Sequence, residues 1–71
     1  MSQGEIMREL VRSGSPASAR ALARALRSPV NTVSVKLRRL KRWGYICEVG
    51  QEPGTRASLY APTDSGRNQS W

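Results

Sequence analysis

The sequence predicts a small α+β domain, three helices followed by a two-stranded β-hairpin, on three observations. Apolar residues recur at helical spacing in three segments before Trp43, and Gly44 ends the last of them. From Tyr45 the period changes to alternation, in two short β-rich runs around a Pro-Gly turn. The length agrees, because 71 residues with 38% hydrophobic content support one domain around one core. The folded part is expected over residues 1–62, with 63–71 a flexible, almost wholly polar tail.

Each element follows from local chemistry. Gln3 to Ser13 reads as a first helix, with Ile6, Met7, Leu10 and Val11 as its apolar stripe and Glu5 and Glu9 toward the positive end of its dipole. Gly14 ends it. Ser15-Pro16-Ala17 is extended or turned, with room for a short edge strand, because proline restricts its predecessor and donates no backbone hydrogen bond. Ser18 is the N-cap of a second helix, about Ala19 to Leu26, which turns Ala21, Leu22, Ala25 and Leu26 inward and leaves Arg20, Arg24 and Arg27 wet. Ser28-Pro29 repeats the start signal, a capping hydroxyl before a proline suited to the first helical position. The third helix, residues 29–43, packs inward through Val33, Leu37 and Leu40. Tyr45 to Val49 and Leu59 to Ala61 are the strands, 50–56 is the connecting loop, and Pro62 closes the hairpin. Trp43 is expected over the core where helix and hairpin meet, with base stacking as its alternative. Cys47 is expected as a small buried strand residue.

Charge narrows the function. Twelve Lys and Arg stand against five Asp and Glu, a formal +7, and no acid occurs between Glu9 and Glu48. A one-signed stretch of this kind gives one side of a small domain a strong positive potential, for which a polyanion is the natural partner. Without histidine, and with a single cysteine, the chain has neither an ordinary Cys/His metal site nor an internal disulfide, which points to a reducing, cytoplasmic setting. No apolar run approaches the ~20 residues of a membrane span, no secretory signal pattern opens the chain, and no membrane association is expected. No enzyme is expected either. A nucleophile-base arrangement has no histidine to draw on, the carboxylates form no recognisable pair, and no glycine-rich phosphate loop occurs among the six glycines. No cofactor and no small-molecule ligand are expected.

Two helices joined by a tight turn form a helix-turn-helix, and a following hairpin makes the wing of a winged helix. Ala21-Leu22-Ala23-Arg24-Ala25-Leu26, Ser28-Pro29-Val30-Asn31-Thr32-Val33-Ser34, Leu37-Arg38-Arg39-Leu40 and Trp43-Gly44-Tyr45-Ile46 resemble the bacterial winged helix-turn-helix superfamily, including MarR-like and ArsR-like regulators, over roughly Glu5 to Pro62. The matching positions are mainly those that fold the domain. The resemblance implies that the third helix enters the major groove of double-stranded DNA. At about 100° per residue, with Val33, Leu37 and Leu40 inward, its outer face holds Asn31, Val35, Arg38 and Arg42, flanked by Thr32 and Arg39.

Within that face, Asn31, Thr32, Val35 and Arg39 are candidates for base contacts, since recognition helices read bases mostly with their N-terminal part. Asn31 and Thr32 have a local alternative, hydrogen bonding at their own helix N-terminus. Val35 departs from the long polar or basic residue common in relatives, which limits direct readout there. Ser34, Lys36, Arg38, Lys41 and Arg42 are candidates for phosphates, which set affinity and register. Arg56, the one basic residue of the wing, is placed near the adjacent minor groove, where Glu48 and Glu52 oppose a tight approach.

The expected function is therefore sequence-preferring DNA binding, as a small transcriptional regulator. A homodimer through the exposed face of the first helix is its expected assembly, because a single module buries only ~600–1,000 Å² on DNA. Two other functions fit the same residues: an architectural or assembly factor in phage or plasmid replication, partition or recombination, and an adaptor that docks its basic face on an acidic protein.

Overall fold

Residues 2–71 are described by the computed structural model. They form α1 (Gln3–Ser13), α2 (Ala19–Leu26), α3 (Val30–Arg42), β1 (Ile46–Gln51), β2 (Ser58–Pro62) and a short α4 (Asp64–Arg67). The three expected helices and the hairpin are all present. At the start of α1 the Glu5 carboxylate accepts the Ser2 backbone N–H at 3.2 Å, which satisfies an orphan donor and puts negative charge at the positive helix end. Ile6, Met7 and Leu10 are buried, whereas Val11, expected in the same stripe, is 43% exposed. The stripe of α1 is narrower than the sequence suggests.

The Ser18 hydroxyl caps α2 by accepting the Ala21 N–H at 3.1 Å, and Ser18 is itself buried. Its replacement by alanine removes the partner of a part-buried donor, at a cost of about 1 kcal/mol. Ser18→Ala is therefore expected to lower Tm by roughly 4–8 °C in a domain of this size. An unchanged Tm would show that the cap contributes nothing. The inward face of α2 is Leu22 and Ala23, with Leu26 half-buried, while Ala21 and Ala25 face solvent. The expectation that these two alanines turn inward is corrected: the alanine of α2 that joins the core is Ala23.

The start of α3 also departs from expectation. Pro29, not Ser28, takes the N-cap position, with extended φ −62° and ψ 141° and no side-chain cap. Ser28 Oγ instead donates to the Leu26 carbonyl at 3.2 Å, so its hydroxyl is committed to the end of α2. Val33, Leu37 and Leu40 are buried as expected, and with Ile6, Met7, Leu10, Leu22, Ala23 and Ile46 they make one core. Beyond α3, Gly44 takes φ +82°, a left-handed conformation that turns the chain into β1 at little steric cost.

β1 and β2 pair antiparallel, Ile46 with Pro62, Cys47 with Ala61 and Glu48 with Tyr60, before Val49 is bulged out and Gly50 resumes opposite Leu59. Ala17 joins the other edge of β2. Its N–H donates to the Tyr60 carbonyl at 3.0 Å and its carbonyl accepts the Tyr60 N–H at 2.8 Å, so the expected edge segment is one bridge long. Only Ile46 of β1 is buried. Cys47, expected inside, is exposed, because the strand alternation that turns Ile46 inward turns Cys47 outward and nothing covers that face. Trp43, expected over the core, is 57% exposed.

Residues 63–71, expected as a flexible tail, fold back on the domain. Thr63 Oγ1 donates to the Gly44 carbonyl at 2.6 Å and accepts the Gly66 N–H at 3.2 Å, while the Thr63 N–H donates to the Tyr45 carbonyl at 3.0 Å. One threonine thus starts α4 and ties the exit of the wing to its entrance. Trp71 Nε1 donates to the Gly66 carbonyl at 2.6 Å, and its ring meets Tyr45 edge-on at 5.2 Å. The indole that covers the core at the helix-hairpin junction is Trp71, not Trp43. No helix among the described residues is long and apolar enough to cross a membrane.

Candidate nucleic-acid interface

The junction of α2 and α3 is set by Arg27, which adopts φ 53° and ψ 46°. Its N–H donates to the Arg24 carbonyl at 3.3 Å and the Ser28 N–H donates to the Ala23 carbonyl at 2.9 Å. This double closure ends α2 in the Schellman manner and lets Pro29 redirect the chain into α3 within three residues. Glycine is the usual occupant of such a left-handed position, and an L-residue with a Cβ is strained there.

With Val33, Leu37 and Leu40 buried, the opposite side of α3 faces water. Asn31, Thr32, Val35, Arg38, Arg39, Lys41 and Arg42 are all exposed, and Val35 presents 45% of its surface. Ser34 and Lys36 are half-buried and flank the packed face, so they reach a partner only from the side. The structure therefore collects Asn31, Thr32, Val35, Arg38, Arg39 and Arg42 on one surface and sets Ser34 and Lys36 at its margins. Arg56 is separate from them, in the loop beyond β1, where it is exposed at φ 57° and its N–H donates to the Glu52 carbonyl at 2.9 Å. The wing projects from the body, since every residue of β1 after Ile46 is exposed.

The surface charge is almost unneutralised. Among the described residues one ion pair forms, Arg12 with Glu9 at 2.6 Å on the outer side of α1. The hydrogen bond and the charge of Glu9 hold the Arg12 guanidinium above its usual value. The other eleven of the twelve Lys and Arg have no carboxylate within 4 Å, and they include every cationic candidate on α3 and in the wing. Free cations on an exposed, acid-poor helix face favour a partner that brings several negative charges at fixed spacing. The reading of the sequence did not assign one feature of this region, the left-handed Arg27. Its signal was an arginine where the residue after a helix is ordinarily glycine.

A helix-turn-helix whose second helix exposes its outer face beside a projecting hairpin defines a winged helix-turn-helix domain. Solved structures with this fold include the reduced form of MarR from E. coli, with a TM-score of 0.81 and 20% identity over 92% of this chain and 47% of that one. They also include disulfide-formed AbfR, with a TM-score of 0.81 and 25% identity over 96% and 46%. MepR, a transcription regulator of the Staphylococcus aureus multidrug efflux pump MepA, gives 0.75 and 28% over 90% and 47%. The chain carries a MarR-like winged-helix domain and spans about half the length of these structural neighbours. No family profile and no curated protein sequence matches it.

Proposed function

We propose that this domain binds double-stranded DNA in the cytoplasm as the DNA-reading part of a transcriptional regulator, with α3 in the major groove and the 50–56 loop near the adjacent minor groove. The observation that carries the proposal is the outer face of α3, six exposed candidate residues with three unpaired arginines on a fold shared with a transcription regulator. Asn31, Thr32, Val35 and Arg39 are placed against base edges, Arg38 and Arg42 against phosphates, and Ser34 and Lys36 against the backbone at the sides of the groove. Arg56 is the wing residue for the minor groove. The role is binding, not catalysis.

Useful specificity from a module of this size calls for two copies on a two-fold site. The outer side of α1, the contact expected from sequence, carries Arg8 and Arg12 and a single exposed large apolar side chain, Val11. That surface is too polar for a stable dimer, so pairing through α1 is proposed to occur on DNA and not in free solution. Selection of bound duplexes from a random pool tests the proposal. Recovery of a shared motif, repeated as a palindrome about one helical turn apart, is the expected result. A bound pool without sequence preference would contradict the sequence-reading role.

A further inference from the structure

The last turn of α3 and the base of the wing meet at two peptide groups, Gly44 and Tyr45. Their N–H groups still belong to the helix: Gly44 donates to the Lys41 carbonyl at 3.1 Å and Tyr45 to the Leu40 carbonyl at 3.0 Å. Their carbonyls both accept from Thr63, Gly44 from its hydroxyl at 2.6 Å and Tyr45 from its N–H at 3.0 Å. Thr63 is the first residue after β2, so both ends of the hairpin are tied to α3 through this joint.

The strand ladder alone does not supply that tie. The register that sets Ile46 opposite Pro62 continues to Tyr45 opposite Thr63, but Pro62 has no N–H to give and the Tyr45 N–H is committed to α3. The Thr63 hydroxyl adds a donor where the ladder has run out of them. Elsewhere the wing is held at one point, the bridge of Ala17 with Tyr60. Among the described residues no hydrogen bond links 50–56 to the helices, and β1 is exposed after Ile46. A hairpin clipped at Tyr60 alone can rock about that bridge. A second fixed point at Thr63 removes the freedom.

We propose that Thr63 is the positioning residue of the wing: by latching the Gly44 carbonyl, its hydroxyl fixes the direction in which the hairpin leaves α3 and so sets where Arg56 meets DNA. The inference rests on the binding mode proposed above, in which Thr63 itself touches no DNA. The lever is long. Five residues of β2 span about 17 Å, so a tilt of about 10° at the joint carries the tip by about 3 Å, the length of one hydrogen bond. The outer face of α3 does not depend on the latch, because Val33, Leu37 and Leu40 hold that helix in the core.

The test is a double-mutant cycle on the full chain, read as the salt slope of duplex binding between roughly 50 and 200 mM. In the wild type, R56A is expected to make the log-log slope shallower by about 0.9, one lost cationic contact. In T63V, which lacks the hydroxyl, R56A is expected to change the slope hardly at all, and T63S is expected to restore the full effect. T63D separates the latch from the cap of α4: a carboxylate accepts the Gly66 N–H but has no proton to donate to Gly44. It is expected to behave as T63V does, and it decides alone if T63V does not fold. R38A, on α3, should lose the same slope in every background. A lower Tm in T63V with the Arg56 effect intact would reduce Thr63 to a stabilising contact and overturn the latch. Loss of the Arg38 effect together with that of Arg56 would also overturn it, as general disruption. If R56A changes nothing in the wild type, or the wild type binds no duplex, the proposed binding mode fails and the latch fails with it.

Discussion

Arg38→Ala and Arg42→Ala are expected to weaken binding to every duplex alike, while Asn31→Ala and Arg39→Ala change which duplex is preferred. All four side chains are exposed on α3, but they differ in position along it. Asn31 lies one residue into the helix and Arg42 is its last, so in the proposed binding mode the N-terminal end is the one that enters the groove and the C-terminal end follows the rim. A bidentate base contact discriminates by ~1–3 kcal/mol, up to about a hundredfold, against the wrong base. A phosphate contact instead supplies affinity and about one unit of salt slope. The measurement is affinity for a selected site and for a scrambled one, each at two salt concentrations. R38A/R42A should lose about two units of slope on both duplexes and keep their affinity ratio. N31A and R39A should bring that ratio toward one. Uniform loss in all four variants would show that the assignment of reading and holding roles along α3 is wrong.

Gly66→Ala is expected to be the most destabilising surface-distant change outside the central core. A Cβ at position 66 would collide with the Tyr45 carbonyl oxygen and lie 2.8 Å from Met7 Cε. Only the methionine tip can move cheaply, since the carbonyl belongs to the turn that enters the wing. Overpacking of this kind costs typically ~1–3 kcal/mol. About 2 kcal/mol lowers Tm by roughly 10 °C in a domain of this length. The same substitution should release Trp71, which packs on Tyr45 and bonds the Gly66 carbonyl, and so shift tryptophan emission to the red. Trp43 is already exposed and contributes no such change. Unchanged Tm and emission would mean that residues 63–71 do not dock in solution.

The parts of the fold that could be read from sequence are those fixed by local chemistry with one outcome. Ser18 as a cap, Gly44 as a turn and Val33, Leu37 and Leu40 as a buried stripe each follow from a rule that tertiary packing does not override. The outer face of α3 followed from the inner one by geometry. Elsewhere tertiary context decided. In a helix rich in alanine the apolar face is ambiguous by one position, and the buried alanine proved to be Ala23, not Ala21 or Ala25. Cys47 is apolar enough to suit either face of a strand, and the inward turn of Ile46 decided its side. Thr63-Asp64 carried a helix-start signal, a capping hydroxyl before an acid, which the polar composition of the last residues obscured. Trp71 had no local signal at all, because its partner, Tyr45, is distant in sequence. The exposure of Arg38, Arg39 and Arg42 on α3 was legible from spacing, whereas the left-handed turn at Arg27 is a backbone angle that no spacing reveals.

Titration of the full chain with duplex and with single-stranded DNA of the same sequence, at two salt concentrations, tests the proposed function most directly. Four to six phosphate contacts predict a loss of duplex affinity on the order of a hundred- to a thousandfold between roughly 50 and 200 mM salt. Duplex should be preferred over the single strand, because the proposed mode places α3 in the major groove and the wing near the minor groove of one double helix. Undetectable duplex binding at the lower salt, or affinity indifferent to salt, would contradict DNA as the partner of this surface.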